Sequence, residues 1–179
     1  NWELNDNTRK IIDYDWWYII VWKFKTYNWI TGWDWAVVVK YNWEFVSWII
    51  WNNIWATWEI RDIIIQNDWK IIMVWWTNRI RRYNTDFTLD TDFITKLWTG
   101  FNAAVVNILK QWDKLIFSWN FTDFNWNTVN RQIRTDYDMN IDLTYKSDNT
   151  FNWTINNCKL LSNWKIVCWW AFTLPYNYI

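Results

Sequence analysis

Apolar and polar positions along this chain fall into short blocks rather than long periodic faces. "DYDWWYIIVWKF" from Asp13, "QNDWKIIMVWW" from Gln66, "KQWDKLIFSWNF" from Lys110 and "LSNWKIVCWWAF" from Leu161 share one order. Each runs from polar turn residues through a basic or aromatic residue to a few strand formers, and ends in one or two Trp. Short β-branched and aromatic runs bounded by Asn, Asp and Ser read as strands joined by tight turns. Strands are predicted near 60–65, 70–75 and 79–83 in one copy, and near 104–110, 114–119 and 129–134 in the next. Between 92 and 112, Ile94, Leu97, Phe101, Val105 and Ile108 fall at helical spacing. Its counterpart "TYKSDNTFNWTINNC" has poor helix propensity. A loop followed by a strand is therefore expected over 92–112.

A second unit repeats as well. "RYNTDFTLDTDF" (82–93) matches "RTDYDMNIDLTY" (134–145), pairing Asp86 with Asp138, Leu89 with Ile141, Asp90 with Asp142 and Phe93 with Tyr145. "GFNAAVVNI" (100–108) lines up with "TFNWTINNC" (150–158), and "EIRDIIIQ" (59–66) supplies the same element one copy earlier. The copies recur every 43–53 residues, approximately 1–58, 59–104, 105–155 and an incomplete 156–179. The shorter interval lacks the "FTDFNWNTV" hairpin. About four short strands per unit at this period point to an all-β, β-propeller-like repeat array of four-stranded blades, about three complete and a fourth begun. Closed propellers typically have about four to eight blades. A partial or open propeller is expected, with the remaining blades of a longer chain, or another copy, as partners.

Composition changes the picture at one point. The 179 residues include 23 Trp against 2 Gly and 1 Pro, although a β-rich chain needs glycine at its turns. Abundant Asn, Ile, Asp and Thr suit an AT-rich gene, whereas the usual Trp codon is not AT-rich. Eighteen basic residues balance eighteen acidic ones, so no electrostatic footprint for nucleic acid exists. No apolar run reaches the roughly 18 residues of a membrane span, and "NWELNDNTRK" has no signal-peptide pattern. The absence of His removes histidine acid–base chemistry, the Ser-His-Asp and Cys-His arrangements and the commonest zinc ligand. Cys158 and Cys168 read as two buried thiols in strands, with a disulfide between neighbouring strands as the alternative.

The stretch "LDTDF…LWTGFNAAVVNILKQWDKLIFSWNFTDFNWNTVNRQIR" resembles the delta-60 repeat, a bacterial β-propeller-like repeat, and the likeness extends over about residues 10–179. The repeat's pattern is roughly L-D-x-x-F, G-x-G-F-N, an apolar strand, D-G-K-I, a strand ending G-G-x-F, Y-N-G, then N-R-I-x-R. On this resemblance, family glycines fall on Trp69, Trp75, Trp76, Trp98, Trp112, Trp119, Trp126, Trp164, Trp169 and Trp170, and on Trp16, Trp17, Trp22 and Trp29 in the first copy. Gly100 remains glycine, while Phe87 and Met139 also stand at glycine positions. Asn163-Trp164 is expected where an Asn-Gly hairpin turn would place both residues at positive φ. Most Trp are thus expected to occupy seats that need glycine's freedom. One route is a gene from a lineage reading UGA as glycine, translated with UGA as tryptophan.

The resemblance implies a non-enzymatic binding or scaffold module of a bacterial surface or secreted protein, with a protein or glycan ligand and no cofactor. The alternative is a carboxylate-based hydrolase acting on glycans at the mouth of the channel, and a third reading is a structural spacer. Asp136, Asp138, Asn140 and Asp142 alternate like the start of a calcium loop, but the loop glycine and closing Glu are missing, so Asx-rich turns are the favoured reading. Asp90 and Asp92 could pair for glycosidic chemistry if they share a strand face, but Asp90 recurs as Asp142 in the next copy, so a turn or cap role is the favoured reading. Tyr27, Phe124 and Tyr176 recur before an Asn turn and could stack on sugars, although recurrence at one blade position favours packing. Asn120-Phe-Thr and Asn152-Trp-Thr match the glycosylation sequon.

Overall fold

The computed structural model describes residues 8–22, 26–27, 30–31, 36–49, 60–76, 80–145 and 154–170. The protein is all-β, built from several small antiparallel sheets. The first sheet holds β1 (Thr8–Tyr14), β2 (Trp17–Trp22), β5 (Ala36–Lys40) and β6 (Phe45–Trp48) in that order, with a small hairpin of β3 (Thr26–Tyr27) and β4 (Ile30–Thr31) between. The second holds β7 (Ile60–Ile65), β8 (Ile71–Trp75) and β9 (Ile80–Tyr83). A helix α1 (Thr91–Lys96) leads to the third, β10 (Val105–Gln111), β11 (Lys114–Trp119) and β14 (Gln132–Asp136). The short hairpin β12 (Asp123–Phe124) and β13 (Asn127–Thr128), between β11 and β14 in the chain, forms a sheet of its own, and β15 (Ile155–Leu160) pairs with β16 (Ile166–Trp170).

The sheets pack face to face. β8 is buried throughout and splits its side chains between two cores. Ile71, Met73 and Trp75 join Ile19, Val21 and Val38 of the first sheet, whereas Ile72 and Val74 join Phe101 and, from the third sheet, Leu115 and Phe117. Alternation on a strand buried from both sides gives this continuous apolar run. The first strands of the sheets, β1, β7, β10 and β15, pack beside one another.

Three expectations need correction. The start of 92–112 is helical, because Asp90 caps α1 by accepting from the Phe93 N–H at 3.1 Å, with Asp92 in the first turn and Lys96 in the last. Phe93, Leu97 and Phe101 carry that segment into the core. The two cysteines are not free thiols: Cys158 and Cys168 face each other across β15 and β16, with Cα atoms 4.1 Å apart, and form a disulfide. The last strand of the third sheet starts at Gln132 rather than near 129, since Arg131 takes a left-handed φ of 59°.

The turns explain the tryptophans. Five three-residue hairpin loops follow one plan, a type I turn closed by a left-handed residue in a G1 bulge. In the loop after β7, the Trp69 N–H donates to Gln66 O at 3.2 Å and the Gln66 N–H to Lys70 O at 2.8 Å. The same pair of bonds recurs in the loops at 40–44, 84–88, 136–140 and 161–165. Their left-handed seats hold Trp43, Trp69, Phe87, Met139 and Trp164, with φ of 68°, 63°, 66°, 67° and 64°. Asn163 itself is not left-handed, so the loop there is not an Asn-Gly-type pair. That pair occurs at Asn125-Trp126, φ 49° and 66°, joining β12 to β13. Trp112, φ 56°, takes the first place of the two-residue turn after β10, where a type II′ turn favours glycine, and Trp98, φ 44°, follows the helix C-cap.

Trp43, Trp69, Trp98, Trp112, Trp126 and Trp164 are all exposed, so none of these seats is held by a buried indole. The other expected glycine positions differ. Trp16, Trp17, Trp75, Trp76, Trp119, Trp169, Trp170 and Trp22 are not left-handed. In the first turn the left-handed seat belongs to Asp15, φ 54°, rather than to Trp16. Trp29 lies outside the described residues.

Candidate cleft on the first strands

Each first strand breaks its register with its partner near its start. The irregularity falls at Thr8/Lys10, Ile60/Asp62, Val105/Asn107 and Ile155/Asn157. A bulge leaves main-chain groups without ladder partners, and nearby side chains can supply them. Polar residues follow all four breaks. Asp62 Oδ1 accepts from the Ile63 N–H at 2.9 Å, and Asn157 Oδ1 accepts from the Cys158 N–H at 2.8 Å. The Ile108 N–H reaches Asp62 Oδ2 at 3.0 Å.

These residues join into one polar row across the four sheets. Lys10 Nζ donates to Asp62 Oδ1 at 2.6 Å, Asn107 Nδ2 to Asp62 Oδ2 at 3.4 Å, and Asn107 Nδ2 to Asn157 Oδ1 at 2.9 Å. The row floors a cleft of about 560 Å³. Arg61 and Trp76 flank one side, with the guanidinium 3.8 Å from the ring centre, and Asn156, Lys159 and Trp169 flank the other. Asn107 is 7% exposed, and its Oδ1 has no hydrogen-bond partner. A buried acceptor left unmatched costs on the order of 1–3 kcal/mol, and this atom is closed to solvent.

The residues singled out from the sequence lie elsewhere. Phe124 is fully buried with its ring 4.5 Å from that of Phe101, so it offers no face to a sugar. Tyr176 and the side chain of Tyr27 lie outside the described residues. Asp136 closes on its own turn, accepting from the Asp138 and Asn140 N–H groups at 2.9 Å each and from the Asn140 side chain. Asp138 pairs with Lys96 at 2.8 Å and Asp142 with Arg134 at 2.9 Å, so these groups diverge rather than gather round an ion. Among the described residues, no group of three or more His, Cys, Asp or Glu side chains could hold a metal.

Asp90 and Asp92 do not share a strand face, because Asp90 is the helix cap and Asp92 stands exposed in the first turn. Burial pushes the Asp90 carboxyl up, but Lys70, the Phe93 N–H and Arg82 outweigh it and hold it at about 2. Arg82 lies at 2.8 Å, with its guanidinium over Phe93. Arg134, Asp142 and Tyr145 repeat that arrangement in the next copy. A motif repeated with its partners satisfied is a structural clasp. Asn120 is exposed and accepts from the Thr154 hydroxyl at 3.2 Å, while Asn152 lies outside the described residues.

The row itself was not foreseen. Its sequence signal is one polar residue breaking each first strand, in "KII", "DIII", "NILK" and "NCKL". Comparison with family models, with curated proteins and with solved structures finds no match in any of the three. Among the described residues, no helix is long and apolar enough to cross a membrane.

Proposed function

We propose that this chain is a stretch of a β-propeller-like array, of the kind its delta-60-like repeats suggest, and that it acts as a non-enzymatic binding module. The ligand seat is the cleft above the first strands, which in a propeller would line the central channel. The observation that carries this reading is the continuous row Lys10–Asp62–Asn107–Asn157, drawn from equivalent places in four copies and flooring the cleft. A hydrolase using two carboxylates would need both in one pocket. Among the described residues that line the cleft, Asp62 is the single carboxylate, and it is already tied to Lys10 and to two main-chain N–H groups. A surface or secreted setting is consistent with the Cys158–Cys168 disulfide, since such bonds persist in oxidising compartments.

The test is calorimetric titration with a panel of peptides and of neutral and acidic oligosaccharides, paired with analysis of the recovered ligand. The expected result is saturable binding that is lost when the exposed lip residue Asn156 is enlarged (Asn156→Trp), with the ligand recovered intact. Turnover that disappears in Asp62→Asn, or no binding by any class, would contradict the reading.

A further inference from the structure

The last sheet departs from a pattern that the other three obey. Strand register makes Ile19, Ile72, Ile116 and Val167 equivalent, since they lie opposite Ile12, Ile64, Leu109 and Lys159 on their first strands. Ile19 and Ile72 are fully buried in cores shared with the next copy. Ile116 is fully buried in β11, which packs against β15. Val167 is 48% exposed. A second position repeats the contrast. Tyr14, Gln66, Gln111 and Leu161 open the four loops that follow the first strands. The first three are buried, and Tyr14 and Gln111 reach turn carbonyls of the following copy. Leu161 is apolar and 39% exposed. Trp169, two residues beyond Val167 on the same strand face, is exposed as well. Among the described residues the last sheet holds two strands, where its equivalents hold three or four. A face that is core in three copies is therefore surface in the fourth.

The chain's own copies say what fits such a face. On the first sheet it is covered by the next sheet, whose second strand turns Ile71 and Met73 back onto Ile19. A second chain is a poor substitute. The far side of the first sheet is already closed, with Ile20, Val37 and Val39 buried in a cluster of their own, so it has no open apolar face for head-to-tail stacking. Two last sheets packed together would oppose like charges, because residues 154–170 carry Lys159 and Lys165 and no carboxylate.

We infer that the outer face of β15 and β16, centred on Leu161, Val167 and Trp169, is the docking surface for a further repeat of the same plan, following in the same polypeptide. Asn157, the exposed last member of the polar row, meets the row residue of that repeat as Asn107 meets Asn157. The inference rests on the array part of the reading above and is independent of what the cleft binds. Val167 and Leu161 carry it, so Trp169→Gly leaves the expectation unchanged.

A tandem duplication of residues 120–170 within the full chain tests this. Trp170 holds the place of Trp119 in the ladder, so the second Asn120 follows in register and brings another β14 and another pair of β15 and β16. In the parent chain, Val167→Lys is expected to lower the folding equilibrium constant less than about twofold, as at other exposed sites. In the duplicated chain, the same change in the first of the two segments is expected to lower it at least about a hundredfold, because the added sheet closes over the lysine. Equal effects in the two chains, whether the added segment folds apart or stays unfolded, would overturn the inference. Ile116→Lys in the parent chain separates this from failure of the array itself. A large loss there keeps the array reading, and a loss no larger than at Val167 removes both. Sedimentation of the parent chain over a range of concentrations gives a second readout. One species independent of concentration is expected, whereas a dimer abolished by Val167→Lys would assign the face to a second copy and overturn the inference.

Discussion

Gln111 donates its side-chain N–H to the main-chain carbonyl of Trp164, 2.9 Å away and 53 residues along the chain. Its oxygen in turn accepts from Arg134 at 2.8 Å. The left-handed turn seat is thus also the point at which one copy grips the next. Tyr14 does the same to the Trp69 carbonyl at 3.1 Å, and Asn67 and Tyr137 reach the Trp112 carbonyl at 3.3 and 3.1 Å. A left-handed residue turns its carbonyl away from the hairpin ladder, which leaves it available to a neighbour.

Gln111→Ala removes that link and leaves Arg134 one acceptor short. It is expected to cost about 1–3 kcal/mol. Denaturant unfolding measures the loss, and a change near zero would mean the link between copies carries no stability.

Gln66 stands at the equivalent place one copy earlier but has lost its partner. Asn67 takes the Trp112 carbonyl, and both polar atoms of the buried Gln66 amide are unmatched. Gln66→Leu fills the site with an apolar group of similar size. It is expected to raise stability by about 1 kcal/mol or more, the opposite sign from Gln111→Ala. A drop in the thermal midpoint would contradict this.

Asp90 sets an acid limit. Its folded value of about 2 lies below the ordinary 3.8. The carboxylate's contribution is therefore complete above about pH 4 and is lost as the pH falls toward 2. Asp90→Asn is expected to cost about 1–3 kcal/mol at pH 7 and to converge with the parent chain near pH 2. Parallel stability curves over that range would exclude the clasp as the cause.

The strands of the two central sheets were legible because short β-branched runs bounded by Asx residues have few other ways to fold. Helix α1 was not, because its counterpart copy has poor helix propensity and the repeat pattern outweighed the helical spacing of Ile94, Leu97 and Phe101. The polar row was hidden for a different reason. The intervals between its members are 52, 45 and 50 residues, so no single slide of the sequence brings them into line. A polar residue within a strand also reads as solvent-facing until a bulge turns it inward. The glycine seats at Trp69, Trp98, Trp112, Trp126 and Trp164 were legible through the resemblance to the delta-60 repeat, but Trp43 was missed. At Trp75, a buried strand residue, the backbone makes no such demand.

The decoding proposal follows from the same seats. If UGA is read as glycine in the source lineage, the codons for Trp43, Trp69, Trp98, Trp112, Trp126 and Trp164 are expected to be UGA. Sequencing the gene decides the matter, and UGG at these six positions would contradict it.

The turn seats demand backbone freedom, and their exposed indoles offset part of that cost through ring contacts of Trp43 with Tyr18, Trp69 with Tyr14 and Trp112 with Trp164. A left-handed non-glycine residue costs roughly 1–2 kcal/mol, while glycine gives back about 0.5–1 kcal/mol through the unfolded chain. The most direct measurement is the unfolding free energy of a variant with Trp43, Trp69, Trp98, Trp112, Trp126 and Trp164 all changed to glycine, set beside Trp75→Gly. The six-seat variant is expected to gain about 3 kcal/mol, whereas Trp75→Gly loses about 3–5 kcal/mol from the core. A six-seat variant no more stable than the parent chain would contradict the account.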